Sequence, residues 1–424
     1  MPHLLLIAPA GSYRVGDHMA AARDVGCDVT VVTDAAIAMP GSAIVVSLCD
    51  PGRAAATVLA RLDRPIDGVV GTDGPAVAVA GAVARRCGLV TSTAGSLAAA
   101  ADKLAQRRAC AGAGVPQPDF AVVAPGVPQP DFAVVAPGAA ESARPEALLP
   151  AVVKPVDRTA SQGVVRADTP AQLRGAVARV RRICGRDATV LVEQFVAGAE
   201  VAVDGLLVDG ALHVLAMFDK PDAPSGPLFP ETLLISPARL PTDVRERVVA
   251  VVERAAAAIG LTEGPIHAEC RIDGDRVGFL ELAARSIGGL CSRSVRVAGM
   301  RLEELVLRHA LRLPLPAPTA RAAAATGVLM LPVPRAGRLV SVHGVEHARK
   351  VTAVTGVVIA IGRGEQVVPL PDGDRYLGFV FARANDPDAC EQALRDAWDA
   401  LDVEIADGGP AREPAGEPQR LVGG

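Results

Sequence analysis

Two carboxylates and a guanidinium lie close together in Pro265 to Gly289, PIHAECRIDGDRVGFLELAARSIGG. Glu269 and Glu281 each fall in a short run of strand character. Arg285 follows Glu281 by four residues, on the same face of a strand by parity. A Gly274-Asp275-Arg276 turn pairs Asp273 with Val277, Arg271 with Phe279, Glu269 with Glu281 and His267 with Ala283 in an antiparallel ladder. The two glutamates then stand opposite each other and repel, unless a cation sits between them. Hard divalent ions such as Mg²⁺ or Mn²⁺ take oxygen ligands of this kind. A two-residue Gly274-Asp275 turn is the other reading. It puts the two carboxylates on opposite faces, as ordinary solvated charges.

Further motifs occur in a telling order: VVKP at Val152–Pro155, SQGV at Ser161–Val164, VEQFVAGAEV at Val192–Val201, then HAE and ELAAR. In this order they resemble the ATP-grasp superfamily, over roughly Met1 to Leu313. The block that follows resembles the C-terminal domain of the L-amino acid ligase branch. The resemblance implies ATP as cofactor, with Mg²⁺ (or Mn²⁺) held by Glu269 and Glu281. It implies that Lys103 and Lys154 contact phosphates as point charges. The small-residue loop Asp157–Gly163, with Ser161 and Gly163, would cover the phosphates through backbone N–H groups. Glu193 and the backbone at Val196 would meet adenine, and Glu200 the ribose.

On the substrate side, the ligase branch places an acid near Glu231 against an ammonium group. Arg285 would clamp the transferring phosphoryl group or the acyl phosphate, His267 would orient substrate or act as a base, and Gly289 would let the backbone approach substrate. Each residue also has a plainer reading: Lys103 as a solvated helical lysine, Lys154 as an edge-strand lysine, Glu200 as a loop carboxylate, Arg285 as a surface ion-pair partner and His267 as a core histidine. One departure stands out. Many relatives read ExNxR where this chain reads ELAAR, so Ala283 replaces a metal-binding Asn. That marks a subfamily and leaves the number of metal ions open.

The resemblance therefore implies an ATP-dependent ligase that activates a carboxylate, of an amino acid by preference, as an acyl phosphate and joins it to an amine. Its partners are small-molecule carboxylate and amine substrates, and a homodimer is compatible with it. Alternatives are a purine-biosynthetic or biotin-carboxylase-like ATP-grasp ligase, or a nucleotide-binding protein that has lost turnover.

The elements that position these residues follow from pattern. A chain of 424 residues holds two to four domains or lobes. The expected fold class is α/β and α+β: an ATP-grasp fold with an N-terminal doubly wound parallel-sheet lobe and a C-terminal α+β domain. Residues 1–113 form the N-terminal lobe with a linker helix, 114–196 the small ATP-binding lobe, 197–319 the large lobe, 320–407 the C-terminal domain and 408–424 a disordered tail. Short apolar runs at His3–Ala8, Asp28–Val32, Ala43–Leu48 and Asp67–Val70 alternate with helical patterns, as in a parallel sheet. Ser96 to Gly114 reads as one helix, and Asp204-Gly205 and Asp209-Gly210 read as turns.

GVPQPDFAVVAP occurs twice in tandem, at Gly114–Pro125 and Gly126–Pro137. It is too short for a solenoid unit, and either copy could supply the first strand of the small lobe.

Composition excludes several classes. Aromatics are 3% and net charge is −4, which gives a stacking or basic nucleic-acid surface little material. The cysteines are scattered with no CxxC, as reduced cytoplasmic thiols are. No apolar run approaches the ~18 residues of a membrane span, and the apolar N-terminus reads as a buried strand.

Overall fold

The computed structural model describes residues 1–36, 43–124, 145–159, 161–222, 225–229, 232–316, 324–370, 372–373 and 375–407. Glu231, the second copy of the tandem repeat and the tail from 408 onward lie outside the described residues.

The N-terminal lobe is a parallel sheet of β1 (His3–Ile7), β2 (Asp28–Thr33), β3 (Ile44–Val45) and β4 (Gly68–Gly71), in the order β3-β2-β1-β4. All five residues of β1 are buried, as a central parallel strand covered on both faces requires. Helices α1 (Val15–Val25), α2 (Pro51–Arg61) and α3 (Gly74–Cys87) flank it. The segment read as one helix from Ser96 is two: α4 (Ala94–Ala100) and α5 (Lys103–Gly112). Asp102 breaks the run because its carboxylate caps the second helix, accepting from Ala105 N at 2.9 Å. That break puts Lys103 at the first position of α5.

The small lobe is the antiparallel sheet β5 (Phe120–Val123), β6 (Ala151–Pro155), β7 (Val165–Ala167) and β8 (Val190–Gln194), in the order β5-β8-β6-β7. The first copy of the repeat supplies β5. Behind the sheet packs α6 (Pro170–Cys184), started by a Thr169–Gln172 capping box.

The large sheet has eight strands, in the order β13-β12-β9-β10-β11-β16-β20-β18. It begins with β9 (Ala199–Val208), β10 (Ala211–Lys220), β11 (Leu233–Ser236), β12 (Gly264–Asp273) and β13 (Arg276–Ala283), backed by α7 (Thr242–Ile259). A short β14 (Arg296–Val297) and β15 (Met300–Arg301) pair leads into α8 (Leu302–Ala310). Asp204-Gly205, read as a turn, lies inside β9; only Asp209-Gly210 turns, with φ of 50° and 82°.

The C-terminal stretch extends the large sheet and also builds an apolar core around Leu339, Leu377, Leu394 and Ile405. Its β16 (Ala325–Leu331), β18 (Val354–Ile359) and β20 (Gly378–Ala384) extend the large sheet, while β17 (Gly337–His343), β19 (Gln366–Val367) and β21 (Asp402–Ala406) form a small sheet beside α9 (Val345–Ala348) and α10 (Pro387–Asp399). One apolar core runs from Leu4 and Leu6 of β1 through Leu305 of α8 to Phe379 and Phe381 of β20.

Small lobe and large sheet meet at Gln194–Ala199. There Gly198 has φ +98°, and a Cβ on it would fall 2.0 Å from the Ile272 carbonyl oxygen. Gly198→Ala is therefore expected to cost about 1–3 kcal/mol from the backbone conformation alone, and more from the collision. A urea midpoint equal to that of the wild-type chain would refute this.

Candidate active site

The ends of the two sheets enclose a cleft of roughly 380 Å³. Its wall brings together Lys103, Lys154, Ser161, Glu193, Val196, Glu200, His267, Glu269, Glu281, Arg285 and Gly289. Gly163 is not on that wall; its positive φ of 75° and close approach to Pro155 shape the loop from behind.

The hairpin that carries the two glutamates combines both readings of its sequence. The turn is the two-residue one, since Asp273 pairs with Arg276 and Cys270 with Phe279. Yet Glu269 pairs with Glu281, because Leu280 is an extra residue that shifts the register there. This β-bulge re-aims Glu281 onto the face of Glu269. On β12, His267, Glu269 and Arg271 share that face by period 2, while Ile266, Ala268 and Cys270 turn into the core behind. Parity does not place Arg285. β13 ends at Ala283, and Arg285 reaches the cleft from the loop that follows.

Charges in the cleft are arranged in counter-ion pairs. Glu193 is 2% exposed and accepts from Arg107 Nε and Lys154 Nζ, each at 2.7 Å. Burial would raise its carboxyl, but the two cations outweigh that and hold it below the usual carboxylate range. Burial also lowers the Lys154 ammonium, which Glu193 only partly offsets. Lys103 Nζ donates to the Arg158 carbonyl at 2.6 Å and lies 3.4 Å from Glu281. Its own backbone N–H donates to Val156 O at 2.9 Å, so α5 is tied to the strand end that carries Lys154.

Glu200 stands in a cross-strand row, opposite Lys220 on β10 and Arg271 on β12. Its oxygens accept from Lys220 at 2.7 Å and from both Arg271 Nε and Nη2 at 3.0 and 2.9 Å. Arg271 also donates to Val196 O at 2.9 Å, which fixes the link between lobes. Lys220 reaches Glu269 too, at 3.0 Å. His267 sits between Asp204, at 3.6 Å, and Glu269, at 3.5 Å. Burial would lower its imidazole, but the two carboxylates hold it up at about 9. The two carboxylates thus favour the protonated imidazolium, which can orient a group or donate to it.

Four residues on this network were not singled out from sequence: Arg107, Asp204, Lys220 and Arg271. Arg107 follows Lys103 by four residues, one helical turn along the same face. Lys220 stands across from Glu200 only because β10 carries a bulge between Val214 and Ala216. Val152, Phe195, Val196, Phe229 and Leu280 add an apolar slot beside the link. Gly289 lies on the wall, but its missing Cβ makes room for the Phe379 ring, 2.9 Å from where a Cβ would be.

Two carboxylates on one strand pair, facing a cleft lined by lysines and arginines, fit a hard cation that completes its shell with phosphate oxygens.

Glu193→Gln leaves Arg107 and Lys154 with less buried counter-charge and is expected to cost about 3–5 kcal/mol. Because the folded carboxyl titrates below its unfolded value of ~4.3, its contribution is complete above that value and is lost as pH falls through the lowered folded one. Denaturant titrations at pH 7 and pH 3 should show the wild type losing more stability than the variant; equal losses would remove Glu193 from this role.

Comparisons with known proteins bear on the fold and the domains. The family model of the ATP-grasp domain matches residues 147–294, and that of L-amino acid ligase C-terminal domain 2 matches residues 329–406. The crystal structure of an L-amino acid ligase from Bacillus licheniformis superposes with TM-score 0.78 and 26% identity, covering 96% of this chain and 99% of that one. A carboxyaminoimidazole ribonucleotide synthase from Aspergillus clavatus, complexed with ATP, shares the fold with TM-score 0.69 and 14% identity, covering 93% of this chain and 97% of that one. A D-alanine–D-alanine ligase of Aromatoleum aromaticum is 31% identical over 190 residues, which is 43% of this chain and 55% of that protein. The match thus spans little more than half of that ligase's length. The chain therefore contains an ATP-grasp domain and, after it, an L-amino acid ligase C-terminal domain 2.

Proposed function

We propose that the chain is an ATP-dependent carboxylate–amine ligase that acts on amino acids. The observation that carries this reading is the convergence of Lys103, Lys154, Glu269, Glu281 and Arg285 on one cleft between the two sheets. The family of the C-terminal domain and the likeness to the Bacillus licheniformis ligase favour an amino acid ligase over the purine-biosynthetic and biotin-carboxylase-like alternatives.

The residues take the following parts. Adenine enters the apolar slot of Val152, Phe195 and Val196, with Glu200 toward the ribose. Lys154 and Lys103 meet the phosphates, and the loop with Ser161 covers them. Glu269 and Glu281 would hold Mg²⁺, which would neutralise phosphate charge and tie it to the protein. As phosphates arrive, Lys103 exchanges its 3.4 Å contact with Glu281 for them and can keep its hydrogen bond to the Arg158 carbonyl.

A substrate carboxylate oxygen then attacks the γ-phosphorus. The bond to the β–γ bridging oxygen breaks, and ADP leaves. Such a transfer needs positioning and charge neutralisation more than covalent help. Arg285 stabilises the transferring phosphoryl group and then the acyl phosphate. The amine nitrogen attacks the acyl carbon, the C–O bond to phosphate breaks, inorganic phosphate leaves, and the nitrogen loses a proton to solvent or phosphate. His267 orients the carboxylate. A cytoplasmic location is part of this proposal, supported by eight cysteines that are all free; no helix among the described residues is long and apolar enough to cross a membrane.

The test is phosphate release from ATP across a panel of amino acids, with hydroxylamine as a trap for the acyl phosphate. Glu281→Gln should lower ADP formation at least ~100-fold while the fold is kept, because it removes a charge at the developing transition state. Arg285→Ala should lower the hydroxamate yield with ADP affinity unchanged. Wild-type turnover in Glu281→Gln with Mg²⁺, or no hydroxamate from any acid despite ATP binding, would sink this reading.

A further inference from the structure

A separate cavity, of roughly 670 Å³, lies where α1, the β14–β15 hairpin, the start of α8 and the edge strand β18 meet. Among the described residues it shares no wall residue with the cleft. Of the four arginines on its wall, three have acids of their own. Arg293 donates to both oxygens of Asp17, at 2.8 and 3.0 Å. Arg349 pairs with Glu346 at 2.5 Å, and Arg301 with Asp24 at 3.4 Å.

Arg296 is different. It is half-buried, and its Nη1 donates to two main-chain oxygens, of Val295 at 2.8 Å and of Arg293 at 3.3 Å. It forms no ion pair among the described residues, and its Nε and Nη2 have no acceptor among them. The hairpin adds to the strain on its charge, because Arg296 pairs directly with Arg301. Like charges opposite each other on a ladder repel. Burial lowers the Arg296 guanidinium, Glu303 and Asp17 offset this in part, and Arg301 and Arg383 add to it.

Glu303, on the same wall, has the opposite need. It is 2% exposed, and its Oε1 accepts from no donor among the described residues. A buried acceptor left in this way is costly. Acid and guanidinium thus face one cavity without closing on each other. A simple anion would meet Glu303 as a like charge, and a simple cation would meet Arg296. A small molecule that bears both an ammonium and a carboxylate satisfies the two at once, and a guanidinium fork matches a carboxylate. Val357 and Phe381, both buried, give the wall an apolar stretch for a side chain.

We propose that this cavity is a binding site, apart from the cleft, for a zwitterionic amino acid or short peptide, with its carboxylate on Arg296 and its ammonium toward Glu303. The inference rests on these charges and stands independently of the ligase reading.

The test is calorimetric titration of L-leucine and of L-leucyl-L-leucine into the chain saturated with Mg·ADP. L-leucinamide and isocaproate serve as analogues that carry a single charge. The tighter of the two zwitterions identifies which the cavity takes. Arg296→Gln should lose one binding site per chain, or weaken it at least ~10-fold, as loss of a charge-assisted contact does, with ADP affinity unchanged. Each singly charged analogue should bind that site at least ~10-fold more weakly than the zwitterion. Glu303→Gln should weaken it likewise; if that variant fails to fold, Arg296→Gln, at a half-buried position, decides alone.

Identical binding curves for wild type and Arg296→Gln, or no heat from either zwitterion in wild type, overturn the site. So does an analogue that fills the Arg296-dependent site as tightly as the zwitterion does. A wild-type dimer that dissociates in Arg296→Gln while ligand binding is unchanged, read by sedimentation, assigns the cavity to a contact between copies and overturns it as well.

Discussion

One buried carboxylate orders much of this structure. Glu193 on β8 is held between Arg107 of α5 and Lys154 of β6, and all three side chains are nearly inaccessible to water. Val152 pairs with Glu193, so Lys154 lies two residues along the same face and reaches it diagonally. Removing Glu193 leaves two cations uncompensated in a low-dielectric place, and that penalty exceeds what the ion pairs contribute. The linker helix therefore cannot drift from the small lobe. The same helix carries Lys103 into the cleft, and Gln106 clamps the backbone of Leu282 on β13, donating to its carbonyl at 2.8 Å and accepting from its N–H at 2.9 Å. Small lobe, helix and large sheet are thus referenced to one another through polar groups, not through apolar contact alone.

The large sheet repeats this device on its cleft face. Asp204, His267, Glu269, Glu200, Lys220 and Arg271 form a chain of alternating charge in which each group has an opposite neighbour. Networks of this kind rigidify a site when satisfied and are costly when broken. The face behind them is Ile266, Ala268, Cys270, Val201 and Val203, packed against α7. A strand that is polar toward the cleft and apolar toward a helix has its register strongly specified. The Leu280 bulge is a local exception on β13, and it serves the pairing of the two glutamates.

The N-terminal lobe and the C-terminal stretch close the cleft from the other side. They share a core with each other, in which Tyr13 meets Phe379 edge-on at 5.9 Å. Arg14 beside Tyr13, and Tyr376 beside Phe379, therefore come to the wall as neighbours although they are far apart in the chain. The C-terminal strands have no sheet of their own at this place; they finish the edge of the large one.

Much was legible in the sequence alone. Period-2 alternation puts His267, Glu269 and Arg271 on one face, and Asp209-Gly210 turns as Asp-Gly favours, because these depend on neighbours a few residues away. The motif order pointed to the fold, since each motif carries its own turn or strand end. What the sequence could not supply were the bulges. A two-residue turn and a three-residue turn are both compatible with Gly274-Asp275-Arg276, and only pairing with the rest of the sheet decided for the first and displaced Leu280. The same holds for Lys220, which meets Glu200 through a bulge at Val214–Ala216. Asp204 read as a turn residue because Asp-Gly favours turns locally. In the sheet, burial between β10 and β12 overrides that preference. The counter-ions Arg107 and Arg271, and the meeting of Arg14 with Arg285 at Ser286, belong wholly to tertiary structure. Nothing in a linear chain states which charges will be desolvated together, and desolvation is what makes their pairing decisive.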